Sequence, residues 1–199
     1  MTKGIRTRII ALQAILALVL GGASIFLISE GNFVNGTIHD QLSAQQITFP
    51  PASTEVPGGA LDPAVFPRLQ QYAGQPVDSG DKAYAYATYF IGEHMTNIYK
   101  NPDTGKGMTY SEVSALAQKN PTDPKLAGAK AALFQGNTLQ NMLLNAWGWS
   151  TLATYTLYGG YAMALAALVV LGALLFEIVL ALRREPETVT VGGKVVSVA

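Results

Sequence analysis

Two apolar runs decide most of what this chain can become. The first, from Ile9 to Ile28, holds about 20 residues with only Gln13 and Ser24 polar, enough at roughly 1.5 Å per helical residue to cross about 30 Å of hydrocarbon. The second stops at Arg183-Arg184, and counting back about 25 residues puts its far end near Tyr158. Composition points the same way: 49% of the 199 residues are hydrophobic and 13% are charged, against about 25% charged in an ordinary soluble protein. The fold class expected is a mainly α membrane protein, with two transmembrane helices and a small helical, proline-rich extracytoplasmic domain.

Basic residues set the expected orientation. Lys3, Arg6 and Arg8 precede the first run, and Arg183 and Arg184 follow the second. The positive-inside bias then places both termini in the cytoplasm and residues 30–150 mostly outside. Gly21-Gly22-Ala23 offers the small residues of a signal-peptide cleavage site, but Ile25-Phe26-Leu27-Ile28 prolongs the apolar run past them. An uncleaved anchor is therefore expected. The chain divides into a cytoplasmic N-terminus (1–8), a first span (9–29), an extended connector (30–77), a helical region (78–137), a long helix holding the second span (138–182) and a cytoplasmic tail (183–199).

The second helix is too long for the bilayer, because its pattern continues upstream through Leu139, Leu143, Ala146, Trp147 and Leu157. Trp147, Trp149, Tyr155, Tyr158 and Tyr161 form the aromatic belt expected where it leaves lipid. Both spans carry small residues in register: Ala14, Ala17, Gly21 and Ser24 on the first, and Thr156, Gly160, Ala164 and Gly172 on the second. Small side chains let backbones approach where lipid supplies no hydrophobic drive. Either the two stripes pack on each other, or one docks on another protein. The second alternative makes Gly160, Ala164, Gly172, Trp147 and Trp149 candidate partner contacts. Glu177 lies about 9 Å inside the end of its span. An intramembrane carboxylate is a functional candidate, although pairing with Arg6 or Arg8 at the same depth is the preferred reading.

Between the spans, Gly31 to Ser43 is polar and short of pattern, and Gln46-Ile47-Thr48-Phe49 reads as a short extended piece. Pro50, Pro51, Pro57, Pro63, Pro67 and Pro76, with Gly58-Gly59, exclude a long helix or central strand over this stretch. A helix is expected from the acidic start at Asp78–Asp81 to about Lys100, with Tyr84, Ala87, Ile91, Met95 and Ile98 as its apolar stripe. Tyr86, Tyr89, Phe90 and Tyr99 widen that stripe, as core or as a pocket wall. Thr109 and Glu112 form a capping box for a further short helix. Asp123 and Pro124 open the helix leading into the second span, where Gly136-Asn137 is a potential kink. This inventory leaves little self-sufficient core.

Chemistry is hard to find. With no cysteine in the chain, disulfides, iron–sulfur clusters and thiolate zinc sites are excluded, and the zero net charge gives no footprint for nucleic acid. Asn101, Asp103, Gly105 and Glu112 follow a calcium-loop spacing, but Lys106 stands where that loop needs glycine. His39, His94 and Glu93 lack ligand spacing on a shared face. No cofactor, no metal and no catalytic residue is expected. The tail from Thr188 to Val198 places two β-prone runs around Gly192-Gly193, a hairpin signal. Two strands alone are marginal in water, so the tail is either unordered or adds to another protein, which makes Val189 and Val191 further contact candidates.

The segments Gly74-Gln75-Pro76-Val77-Asp78, Ala83-Tyr84-Ala85-Tyr86-Ala87, His94, Met108-Thr109-Tyr110-Ser111-Glu112 and Leu143-Leu144-Asn145-Ala146-Trp147-Gly148 resemble a group of small actinobacterial two-span membrane proteins. The likeness covers roughly positions 40 to 180. It implies a cell-envelope setting and brings no catalytic motif. Some of these proteins carry the label of an aromatic ring-opening dioxygenase, but this chain lacks the cluster of histidines and carboxylates that such iron chemistry needs. The expected function is a non-catalytic accessory subunit stabilising a larger cytoplasmic-membrane complex, of the respiratory-supercomplex or particulate copper monooxygenase type. Its partners would be other integral membrane subunits and the lipid bilayer. The alternative is an extracytoplasmic module binding a lipid or small ligand, which predicts a closed apolar cavity beside the aromatic helix.

Overall fold

The computed structural model describes residues 3–183 and the backbone of residues 187–191 and 194–198. It is mainly helical. Two helices are long and apolar enough to cross a membrane: α1 (Lys3–Ala44) and α5 (Pro124–Leu182). Between them lie α2 (Gly80–Ala85), a π-helical turn (Tyr86–Ile91), α3 (Gly92–Ile98) and α4 (Tyr110–Lys119). By packing, the chain divides into one unit of residues 1–29 with 156–199 and a second of residues 30–155.

In the first unit the early part of α1 packs on the later part of α5. Ala17, Ser24, Gly160 and Ala167 are buried. The unit ends in an antiparallel hairpin, β1 (Glu187–Val191) with β2 (Lys194–Val198), in which Glu187 faces Val198 and Val191 faces Lys194. The hairpin read from the sequence is present, while Gly192-Gly193 and the side chains of Val189 and Val191 lie outside the described residues.

The second unit departs from the expected extended connector on two counts. Residues 30–44 are helical, because Val34, Ile38 and Leu42 recur at four-residue spacing and face the core, where Ile38 and Leu42 are buried. The helix stops without a glycine: Gln46, at φ 54, takes the left-handed conformation instead. The proline-rich stretch then folds back on itself. Ile47 to Pro50 pairs with Gly74 to Val77 through Val77 N–H to the Ile47 carbonyl (2.8 Å), Phe49 N–H to the Gln75 carbonyl (2.9 Å) and Gly74 N–H to the Pro50 carbonyl (2.9 Å). Inside the loop so closed, the Asp62 carboxylate accepts from Gly58 N–H (2.7 Å) and Ala64 N–H (2.9 Å), holding the turns that the prolines cannot bond themselves. Those two backbone donors hold the Asp62 carboxyl below its ordinary range, the Gly58 one contributing most.

That loop brings Leu61, Phe66 and Leu69 into one core with Ile38, Leu42, Phe49, Val77, Ala83, Ala87, Ile91 and Leu143. Aromatic rings knit the loop to the expected helix: Phe49 stacks on Tyr72 and meets Tyr86 edge-on, each at 5.2 Å, and Phe66 lies 5.6 Å from Phe90. A second cluster joins Val113 of α4 to Leu126, Ala129 and Leu133 of α5. The expectation of a core-poor region is thus corrected. Its anchors sit at irregular spacings in a stretch without regular structure, where periodicity cannot reveal them.

The local signals fared better. Thr109 and Glu112 form the capping box of α4, with Glu112 Oε2 accepting from Thr109 N–H at 2.7 Å. Asp123 Oδ1 accepts from Lys125 N–H at 2.8 Å as α5 begins at Pro124. Gly136-Asn137 does not interrupt α5. Gly136 instead lets Met95 approach, since a Cβ there would lie 2.8 Å from its Sδ.

Candidate functional site

In the first unit the two small-residue stripes meet each other. Ser24 Oγ donates to the Gly160 carbonyl at 2.9 Å in a buried setting, which satisfies a hydroxyl that hydrocarbon could not. A Cβ on Gly160 would lie 2.7 Å from Ile28 Cγ1 and 3.2 Å from the Ile28 nitrogen. Gly160 is therefore committed to intramolecular packing and is withdrawn as a surface for another protein. Ala164 is half-buried beside it, whereas Gly172 is exposed with nothing near a Cβ built on it.

Glu177 has the preferred partner. Arg6 Nε lies 3.2 Å from Glu177 Oε2, and Arg6 Nη2 donates to the Glu177 carbonyl at 3.2 Å. The Nε–carboxylate contact is an ion pair by distance without the alignment of a hydrogen bond. Each charge cancels the other, which is the condition under which both can stay in apolar surroundings.

The titratable residues of the second unit are dispersed. His39 Nδ1 donates to the Asp78 carbonyl at 2.9 Å, and His94 donates to the Phe90 carbonyl at 2.8 Å while its ring stacks 5.4 Å from that of Phe66. Both imidazoles are occupied on separate elements, and the described residues contain no group of three or more metal-ligating side chains. In the would-be calcium loop Asn101 Oδ1 accepts from Asp103 N–H (2.9 Å) and Thr104 N–H (3.1 Å), and Glu112 is held as a cap.

The aromatic helix packs part of its stripe against α5. Tyr84 meets Trp147 at 4.7 Å, and the bare Gly80 lies where a Cβ would come within 2.6 Å of Ser150 Oγ. Gln140 Nε2 donates to the Ala87 carbonyl at 3.0 Å in the middle of the π turn. The wider turn thus has its backbone anchored by a side chain from α5. At Tyr84–Trp147, Gly80–Ser150 and Gln140–Ala87 the helix and α5 are in direct contact.

What the second unit leaves uncovered is apolar. On the side of α5 away from the core, Phe134 is 57% exposed, Met142 65%, Trp149 54% and Leu152 54%. With Ala131, Thr138 and Asn145 they fall at helical spacing on one face, which Lys130 borders at its start beside Phe134. Beside this face, Phe33, Val34, Thr37 and Ile38 of α1 join Met142 and Trp149 in lining an open groove of about 440 Å³. Sequence reasoning named Trp149 but missed Phe33, Phe134 and Met142. The spacing of Phe134 and Met142 with Trp149 on one face of α5 was the available signal, whereas Phe33 lies on α1 and joins Met142 and Trp149 only through the fold.

Comparison with protein-family models, with curated proteins and with solved structures gives no match.

Proposed function

We propose that this chain is a non-catalytic accessory subunit of a larger membrane complex, anchored by its two apolar helices and docked through the exposed face of α5. The orientation that fits has both termini in the cytoplasm and residues 30–150 mostly outside, as the flanking basic residues suggest. One observation carries the reading. From Ala131 to Phe176 the chain has no charged side chain, about 69 Å of helix at 1.5 Å per residue, more than twice the hydrocarbon thickness. A helix that ended its contacts at water would carry charge on its outer face. Here Phe134, Met142 and Trp149 occupy it, and contiguous apolar surface of this kind marks protein contact or lipid.

Residues 30–155 supply their own core, so a partner is needed to cover the surface left over and not to give the unit its shape. Other integral membrane subunits are the fitting partners, because they too present uncharged helical faces at that level. Extraction of the tagged chain from its native membrane in polymer-bounded nanodiscs, followed by native mass spectrometry, tests this. The expected result is a second polypeptide in fixed stoichiometry, lost when Met142 and Trp149 are both changed to glutamate. A wild-type chain that flies as a bare monomer with lipid would overturn it.

A further inference from the structure

A second groove, of about 660 Å³ and open to solvent, has a different character from the apolar face. Arg68, Gln70 and Gln71 line it from the proline-rich loop, and Asp81, Tyr84 and Tyr89 from the aromatic helix. The volume lies within the range of small-ligand sites, about 300–1,000 Å³. The rings of Tyr84 and Tyr89 stand at 89° with centroids 5.9 Å apart, an edge-on pair at the groove wall. Tyr84 is braced from behind by Trp147 at 4.7 Å. Arg68 is fixed over Tyr89, its Cζ 5.0 Å from the ring centroid and its Nη1 donating to the Tyr89 hydroxyl at 2.7 Å.

The charges of this groove are preset but uncommitted. Among the described residues the ion pairs are Arg6–Glu177 and Lys82–Asp78, so neither Arg68 nor Asp81 has a charged partner. A guanidinium has five N–H donors in a planar fork, and one hydrogen bond from Arg68 is made within the protein. The lining can be matched against ligand classes. A strongly anionic ligand meets Asp81, and a cationic one meets Arg68. A purely apolar ligand would strip water from two charges and two carboxamides without replacing it, which is costly. A ring with a flat C–H face and vicinal hydroxyls suits every group present. Its face rests on a tyrosine, and its hydroxyl pairs match the two-pronged guanidinium, carboxamides and carboxylate.

We propose that this groove binds a carbohydrate chain, with Tyr84 as its stacking platform, Arg68, Gln71 and Asp81 as hydroxyl partners, and Tyr89 holding Arg68 in place. The site is independent of the docking face on α5. Its test uses the full-length chain in nanodiscs and four linear hexasaccharides, an α-glucan, a β-glucan, a mannan and an arabinan, read by saturation-transfer NMR and calorimetry. The expected result is saturable binding of at least one, with transfer strongest at sugar C–H protons. Tyr89→Leu, at a half-buried side chain, and Asp81→Asn, at an exposed one, should each weaken it about tenfold or more, roughly 1.4 kcal/mol. Tyr110→Leu, in another part of the unit, should leave it unchanged. Failure of all four to bind with Kd below about 10 mM would overturn the proposal. So would binding indifferent to Tyr89→Leu and Asp81→Asn, or displacement of the sugar by glycylglycine or inorganic phosphate at equal concentration.

Discussion

Gly160 has no room for a side chain, and that single fact organises the first unit. Ile28 crowds the place where its Cβ would stand, and Ser24 bonds its carbonyl at 2.9 Å. Gly160→Leu should therefore separate the two helices at a cost of about 1–3 kcal/mol, the usual penalty of overpacking. Ser24→Ala, which removes one hydrogen bond and leaves the packing, should cost about 0.6 kcal/mol. Unfolding of the reconstituted chain in graded mixed detergent measures both, and equal effects would contradict the assignment. The carboxylates of the second unit make a separate prediction at this scale. Lys82, bonding Asp78 through its side chain at 2.9 Å, holds that carboxyl below its ordinary value of 3.8, and the Thr109 backbone N–H does the same for Glu112 below 4.5. A depressed folded value means that the unfolded chain takes up the proton first, so these contacts stabilise fully above those ordinary values and are lost as pH falls through and beneath them. Thermal midpoints should be level near neutrality and drop on acidification below about pH 4.5. A midpoint that rose over that range would refute the account.

At the scale of elements, what could be read from the chain followed from where its signals were local. The caps at Thr109, Asp123 and Pro124 and the aromatic helix beginning near Asp81 are decided by neighbours a few residues apart. The continuation of α1 to Ala44 and the folded proline loop were not legible, for two different reasons. In α1 the stripe Gly31, Val34, Ile38 and Leu42 was present but diluted by polar residues, and no glycine marked the end. In the loop, Leu61, Phe66 and Leu69 are placed by long-range packing, which has no period. The candidate site divided in the same way: Trp149 and Glu177 could be named from type and depth, whereas Phe33 and Arg68 acquire meaning only beside residues distant in sequence. One prediction belongs here. Gly107 lies against the Thr96 backbone, where a Cβ would come within 2.8 Å of Thr96 Cα. Gly107→Ala should push the turn after α3 away from that helix at a cost of about 1–3 kcal/mol. Hydrogen exchange at Asn101 and Met108, whose N–H groups bond the Lys106 and Tyr99 carbonyls at 2.8 Å, should accelerate while exchange in α1 stays slow. Unchanged protection at those two amides would rule this out.

For the whole molecule, the two units carry different work. The first holds two apolar helices together by small residues and one ion pair, which is what an anchor requires. The second builds a core around a closed loop and leaves one uncharged face uncovered. Several of its polar side chains are bonded locally as caps and helix contacts. What it presents outward is a contiguous apolar face. The account therefore stands on whether the face bearing Phe134, Met142 and Trp149 is covered in the membrane. Photocrosslinking from a benzophenone residue placed at position 142, in the native membrane, asks this directly. The account predicts a discrete adduct with one other polypeptide, absent when the same residue is placed at position 103, in the exposed turn after α3. Labelling confined to lipid and water at position 142 would contradict it.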